Sequence, residues 1–212
     1  QTCKQYFVLD GFVSDHVHLL QEQSRLYQYL SYYEVETKRK LAMHNRRIES
    51  LRPLLDSLSR ASFEGLHKTL SYELGEAFLT IHEMKFTKVR DGMNERNLKP
   101  SVLLKANEYV FQGITCFAHF TTMFGPQEGK SAPIPIDTAT LNTKEGFERE
   151  FNRCEALTVR DIDHSFLTDE EVRPFLNCHF HVARLLARAI HPASKTPGDA
   201  VMGLAAGLRG YE

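Results

Sequence analysis

The chain has 212 residues, with 26 Lys+Arg against 27 Asp+Glu and a formal net charge of −1. Its 42% apolar and 25% charged content is that of a globular protein, which excludes a disordered tail, a collagen-like chain and a strongly basic nucleic-acid arm. Trp is absent, so the bulk of any core must come from the 14 Phe, the 8 Tyr and the aliphatic residues.

The elements read as helices throughout. Val13, Val17, Leu20, Tyr27 and Leu30 form the first apolar stripe, with Ser14 as its expected N-cap and Asp15 favourable in the first turn. Leu41, His44, Ile48, Leu51, Leu55 and Leu58 form a second seam, which Pro53 is expected to kink or end. The third stripe runs Phe63, Leu66, Leu70, Leu74, Ala77, Ile81 and Met84, and a fourth helix is expected over Leu103 to Phe124. From Gly125 to about Asp163 the chain holds Pro126, Gly129, Pro133 and Pro135 and then a weakly helical stretch, Lys144 to Leu157. A further helix covers about Arg173 to Ile190, with Leu176, Phe180, Ala183, Ala187 and Ile190 as its expected buried face. The tail carries Gly198, Gly203, Gly207 and Gly210, poor helix chemistry that predicts a frayed or truncated last helix. No segment reads as a strand.

These elements predict an all-α protein of antiparallel helical hairpins, a divergent TPR-like α-solenoid. Leu74, Gly75 and Phe78 fit the first-helix pattern of such a repeat, and Ala106 and Val110 fit the second loosely. The expected divisions are hairpins over 1–124, a long loop or insertion over 125–167, and a final hairpin over 168–212 that is truncated at its end.

Cys3, Cys116, Cys154 and Cys178 lie far apart without C-x-x-C spacing, which predicts a reduced cytosolic chain with neither zinc ribbon nor redox motif. No apolar run approaches the roughly 20 residues of a membrane helix. The chain does not begin with Met, and it is expected to be a piece of something longer.

The sequence offers no catalytic or metal-binding candidate. His16/His18 and His179/His181 are H-x-H pairs, but residues two apart on a helix point away from each other. Neither H-E-x-x-H, G-x-S-x-G, a P-loop nor a dinucleotide fingerprint is present. No catalytic residue, cofactor or metal is therefore expected. His44, with Arg46 and Arg47 beside it, is expected to hold adjacent helices together, since His44 falls on an apolar seam.

Charge carries more information. Residues 38–52 hold Lys38, Arg39, Lys40, Arg46, Arg47 and Arg52 against Glu49 alone. Residues 161–171 hold Asp161, Asp163, Asp169, Glu170 and Glu171 with no Lys or Arg. The ordinary account of such runs is a solvated helix face or a helix start, and Thr168 with Glu171 fits a capping box. The functional account is a pair of steering patches on a protein-binding surface, with the acidic run as the partner-binding segment. Nucleic acid is not expected, because the basic run is short and lacks interleaved aromatics.

Three segments, read in order, resemble one family. They are Y-F-V-L-D-G-F-V-S-D-H from Tyr6, M-H-N-R-R-I-E-S-L-R-P-L from Met43, and R-P-F-L-N-C-H-F-H-V-A-R-L from Arg173. Together they resemble the KIF-binding protein family, kinesin-binding TPR-like proteins, over residues 1–124 and 173–191. The resemblance implies a non-enzymatic, cytoplasmic and cytoskeleton-associated α-solenoid. It also implies a C-terminal part that works with the remainder of its own chain on the N-terminal side. The partner it implies is a kinesin motor domain, held so that the motor cannot attach to microtubules. A scaffold for non-motor cytoskeletal or mitochondrial proteins is the other expectation. The resemblance assigns no single contact residue.

Overall fold

A computed structural model describes residues 11–94, 99–124, 136–156 and 167–192. Among them are six α-helices and no strand: α1 (Val13–Tyr33), α2 (Thr37–Ser57), α3 (Glu64–Asn94), α4 (Pro100–Thr121), α5 (Lys144–Glu155) and α6 (Asp169–Leu186). A single 3-10 turn, Thr138–Thr140, precedes α5.

The helices stack as neighbours. α1 packs on α2, α2 on α3 and α3 on α4, so the first four form two consecutive antiparallel hairpins. α6 then packs on α4, bypassing α5, which touches α4 and α6 more lightly. The result is the solenoid-like, all-helical architecture that the periodicity predicts.

Local chemistry sets the ends. Between α1 and α2 the Glu34 carboxylate accepts hydrogen bonds from the N–H groups of Val35 and Glu36, both at 2.9 Å, and so closes a three-residue turn. Pro100 opens α4 at a position where its missing N–H costs nothing. Thr143 caps α5, accepting from the Gly146 N–H at 3.1 Å. Pro53 does not stop α2, which continues for one more turn to Ser57. Ser14 does not cap α1: the N-cap is Phe12, with no side-chain hydrogen bond, and Ser14 lies in the first turn.

The core is aliphatic at one end and aromatic at the other. Val17, Leu20, Leu51, Leu54, Leu70 and Leu74 bury one cluster between α1, α2 and α3. Phe111, Phe117, Phe120, Phe147, Phe175 and Leu185 belong to the other, around α4. Each such fully buried side chain is worth about 1.5–3 kcal/mol of transfer free energy. Rings meet edge to face at Tyr72–Phe120 (5.4 Å), Phe120–Phe124 (4.9 Å) and Phe124–Phe175 (5.5 Å).

Glycine permits the close crossing of α3 on α4. A Cβ on Gly75 would lie 2.7 Å from the Phe117 ring, and one on Gly113 would lie 3.0 Å from Leu185 Cδ1. Gly75 thus seats Phe117, and Gly113 seats α6.

Two expected faces are corrected. Leu30 is 53% exposed rather than part of the α1 core stripe. On α6, Leu176 and Phe180 are exposed at 40% and 64%, and the buried stripe is Phe175, Cys178, Val182, Leu185 and Leu186. α6 carries apolar residues on two sides, and α4 supplies rings and Leu185's glycine seat on only one of them.

Candidate interaction surfaces

Arg47 is 1% exposed, the largest buried polar side chain among the described residues. Its Nε donates to Ser24 Oγ at 3.1 Å, its Nη1 meets His44 Nδ1 at 3.2 Å, and its Nη2 donates to Gln28 Oε1 at 3.3 Å. The guanidinium therefore joins α2 to α1. Burial pulls its pKa down, and the carboxylates of Glu76 and Glu73 on α3 oppose that shift. His44 accepts from a cation and so is neutral there. Burial, with Arg47 and Lys40 adding to it, pushes its pKa down to about 4.

The network extends to α3. Gln21 Nε2 donates to Thr69 Oγ1 and to Glu73 Oε1, both at 3.1 Å, and Arg25 lies 3.7 Å from the same carboxylate oxygen. Burial raises the Glu73 pKa, opposed by Arg25 and then Arg47. These α1 residues were not singled out from the sequence. The signal is present: Gln21, Ser24, Gln28 and Ser31 recur at helical spacing as a polar stripe beside the apolar one.

Arg46, next to Arg47, points outward with its guanidinium 5.7 Å from the Tyr27 ring centre. Elsewhere on the basic stretch, Arg39 pairs with Glu36 at 3.0 Å and with Glu34 at 3.7 Å. In that stretch the charge of Arg39 is thus neutralised locally.

Of the acidic run, Asp161 and Asp163 lie outside the described residues. Asp169 and Glu170 are exposed in the first turn of α6, where the helix dipole favours them. Glu171 is already engaged. It accepts from the Thr168 N–H at 3.2 Å and from the Thr168 hydroxyl at 3.0 Å, and it lies 3.6 Å from Lys68 of α3. Those hydrogen bonds, the backbone one first, lower its pKa. The acidic start of α6 and the basic stretch of α2 are not brought together: α6 packs on α4 and α3, α2 on α1 and α3.

The His179/His181 pair serves packing. His179 lies edge-on to Phe175 at 4.7 Å, and His181 stacks on Phe117 at 5.1 Å. Among the described residues, no group of three or more His, Cys, Asp and Glu could hold a metal ion. Cys116, Cys154 and Cys178 are free thiols, and burial raises the pKa of each, to about 12 for the first two. Cys3 lies outside the described residues. No described helix is long and apolar enough to cross a membrane.

Exposed apolar surface is concentrated at the end of α1. Leu26, Tyr29, Leu30, Tyr32, Tyr33 and Val35 are all more than half exposed, reaching 92% at Val35. A patch of this kind on a folded domain marks a surface that meets another.

The comparisons agree on one family. The family described as "KIF-1 binding protein C terminal" matches residues 1–202. A chicken (Gallus gallus) KIF-binding protein is 26% identical over 195 residues, which is 92% of this chain and 27% of that protein. The zebrafish (Danio rerio) protein of the same name is 28% identical over 127 residues, 60% of this chain and 20% of that protein. The Xenopus tropicalis one is 32% identical over 117 residues, 55% and 18%. The chain thus spans about a quarter or less of the length of these relatives. No solved structure matches. With the family matched over nearly the whole chain, and with its helices stacked as hairpins, this protein belongs to the KIF-1 binding protein C-terminal family.

Proposed function

We propose that this chain is a non-enzymatic binding module that forms part of a surface engaging a kinesin motor domain. We further propose that this engagement blocks the motor's attachment to microtubules and so regulates transport along them. The observation that carries the reading is the family match over residues 1–202, whose curated relatives are named for KIF binding. A stack of antiparallel helices supports it, because such stacks present extended faces suited to a folded partner. The mechanism is steric: a motor whose track-facing surface is covered cannot dock. The setting is the cytoplasm, at the cytoskeleton.

Within this reading the acidic segment Asp161, Asp163, Asp169 and Glu170 attracts a basic motor surface, while Glu171 is held by Thr168 and Lys68. His44 and Arg47 act by holding α1 to α2, and Arg46 by resting on Tyr27.

Microtubule co-pelleting tests the function. The chain, alone and as part of the longer protein, should release a kinesin motor from the pellet. A motor that stays bound while this chain joins the pellet would instead mean a scaffold for cytoskeletal or mitochondrial proteins. Reversing Asp161, Asp163 and Asp169 to Lys should weaken motor capture by about tenfold at low salt, and by less as salt rises. Capture that ignores both the charges and the salt would sink the steering role.

A further inference from the structure

Between α2, α3 and α4 lies a cavity of about 350 Å³. Its walls hold Arg52 and Arg60 from α2 and the turn after it, with an apolar stretch made by Leu55, Leu74 and Phe78. Arg52 Nη1 donates to Gln112 Oε1 at 3.1 Å, and Arg60 Nη2 donates to the Thr122 carbonyl at 3.2 Å and its hydroxyl at 3.4 Å. Among the described residues neither guanidinium pairs with a carboxylate. A guanidinium carries five N–H donors, so most of each fork is left for a ligand.

The other ionisable groups of the cavity sharpen this. His67 Nε2 lies 3.0 Å from the Leu58 carbonyl and therefore carries the proton that bonds it. His67 Nδ1 and His119 Nε2 share a hydrogen bond at 3.3 Å, and burial pushes the His119 pKa down to about 4, so His119 adds no positive charge. Asp56 falls between the two arginines in sequence and shares the wall. It repels negative charge from the middle of the cavity. The site is thus cationic at two ends and apolar or anionic between them.

The spacing of the ends selects a length. Arg52 and Arg60 are anchored on α4 at Gln112 and Thr122, about 15 Å apart along the helix. A charge-assisted hydrogen bond of about 2.8 Å at each end leaves roughly 9 Å between two carboxylates. We propose that this cavity is a binding site for a medium-chain α,ω-dicarboxylate, gripped at one end by Arg52 and at the other by Arg60, with its methylene chain against Leu55, Leu74 and Phe78. The proposal does not rest on motor binding and stands or falls separately from it.

The probes are suberate, which has the required length, octanoate, which keeps the chain and lacks the second carboxylate, and succinate, which is too short. Isothermal titration of the 212-residue chain should show suberate binding at least about tenfold more tightly than either of the others. Arg52→Gln and Arg60→Gln should each bring suberate down to the octanoate level. Circular dichroism of the variants checks that they remain folded, and the three-ligand comparison on the unaltered chain needs no variant at all. Equal binding of suberate and octanoate, indifference to both substitutions, or no heat from suberate at millimolar concentration would overturn the site.

Discussion

Around Arg47 the helices α1, α2 and α3 meet partly through a buried polar stripe, whereas around Phe117 the helices α3, α4 and α6 meet through rings and a pair of glycines. The two regions are built for different ends. Ring packing follows area and tolerates some sliding, so it supplies cohesion. A guanidinium with three fixed acceptors demands one register of α1 against α2, and any other register leaves buried polar atoms unpaired. The polar region therefore fixes position where the aromatic region mainly supplies stability.

Substitutions can test that contrast. The largest effect is expected from Phe117→Ala, which empties the ring seat over Gly75 and should cost about 3–5 kcal/mol in denaturant unfolding. Arg47→Ala should follow, at about 3 kcal/mol, because it strands Ser24, Gln28 and the Glu73 and Glu76 carboxylates together. Arg47→Met combined with Ser24→Ala and Gln28→Leu should recover most of that stability. If it does not, the stripe supplies stability as well as register. Gly75→Ala should cost about 1–3 kcal/mol, because its new Cβ would clash with the Phe117 ring. A thermal melt unchanged by Gly75→Ala would show that α3 and α4 can separate freely.

The last effect is one of pH. His82, fully buried against Phe86, has its pKa pushed by burial from 6.5 to about 4. The unfolded chain therefore binds the proton first as pH falls below about 6.5, and stability declines towards pH 4 by up to about 1.4 kcal/mol per pH unit. The full stability is present above pH 6.5. His82→Leu should flatten that slope in urea titrations between pH 7 and 5, leaving the contributions of the other buried histidines, among them His44 and His119, whose pKa values burial also pushes down to about 4.

What the sequence discloses follows from how many elements a residue must satisfy at once. The third stripe, from Phe63 to Met84, reads directly because α3 is flanked by neighbours that bury the same face along its length. α1 reads poorly at its end. Leu30 keeps the apolar period, but the helix turns its Gln21, Ser24 and Ser31 side inward to meet Arg47 and Glu73. α6 offers two apolar stripes, and periodicity cannot choose between them. The choice is made by Gly113 on another helix. Among the charged residues, Glu171 illustrates the same limit. Its capping role with Thr168 is legible from the spacing, while its pairing with Lys68 requires the fold.

The contact between Asn107 and Ile190 has a consequence for how the chain assembles. The Asn107 side-chain amide donates to the Ile190 carbonyl at 2.7 Å and accepts from its N–H at 3.1 Å, imitating a peptide pairing between positions 83 residues apart. Contacts from α1 to α4 run mainly between successive helices and can zip up in order with little loop to close. This one cannot. It forms only after the chain has passed α5 and returned α6 to α4, so the last described turn is latched by a bond that acts as a completion check on everything between.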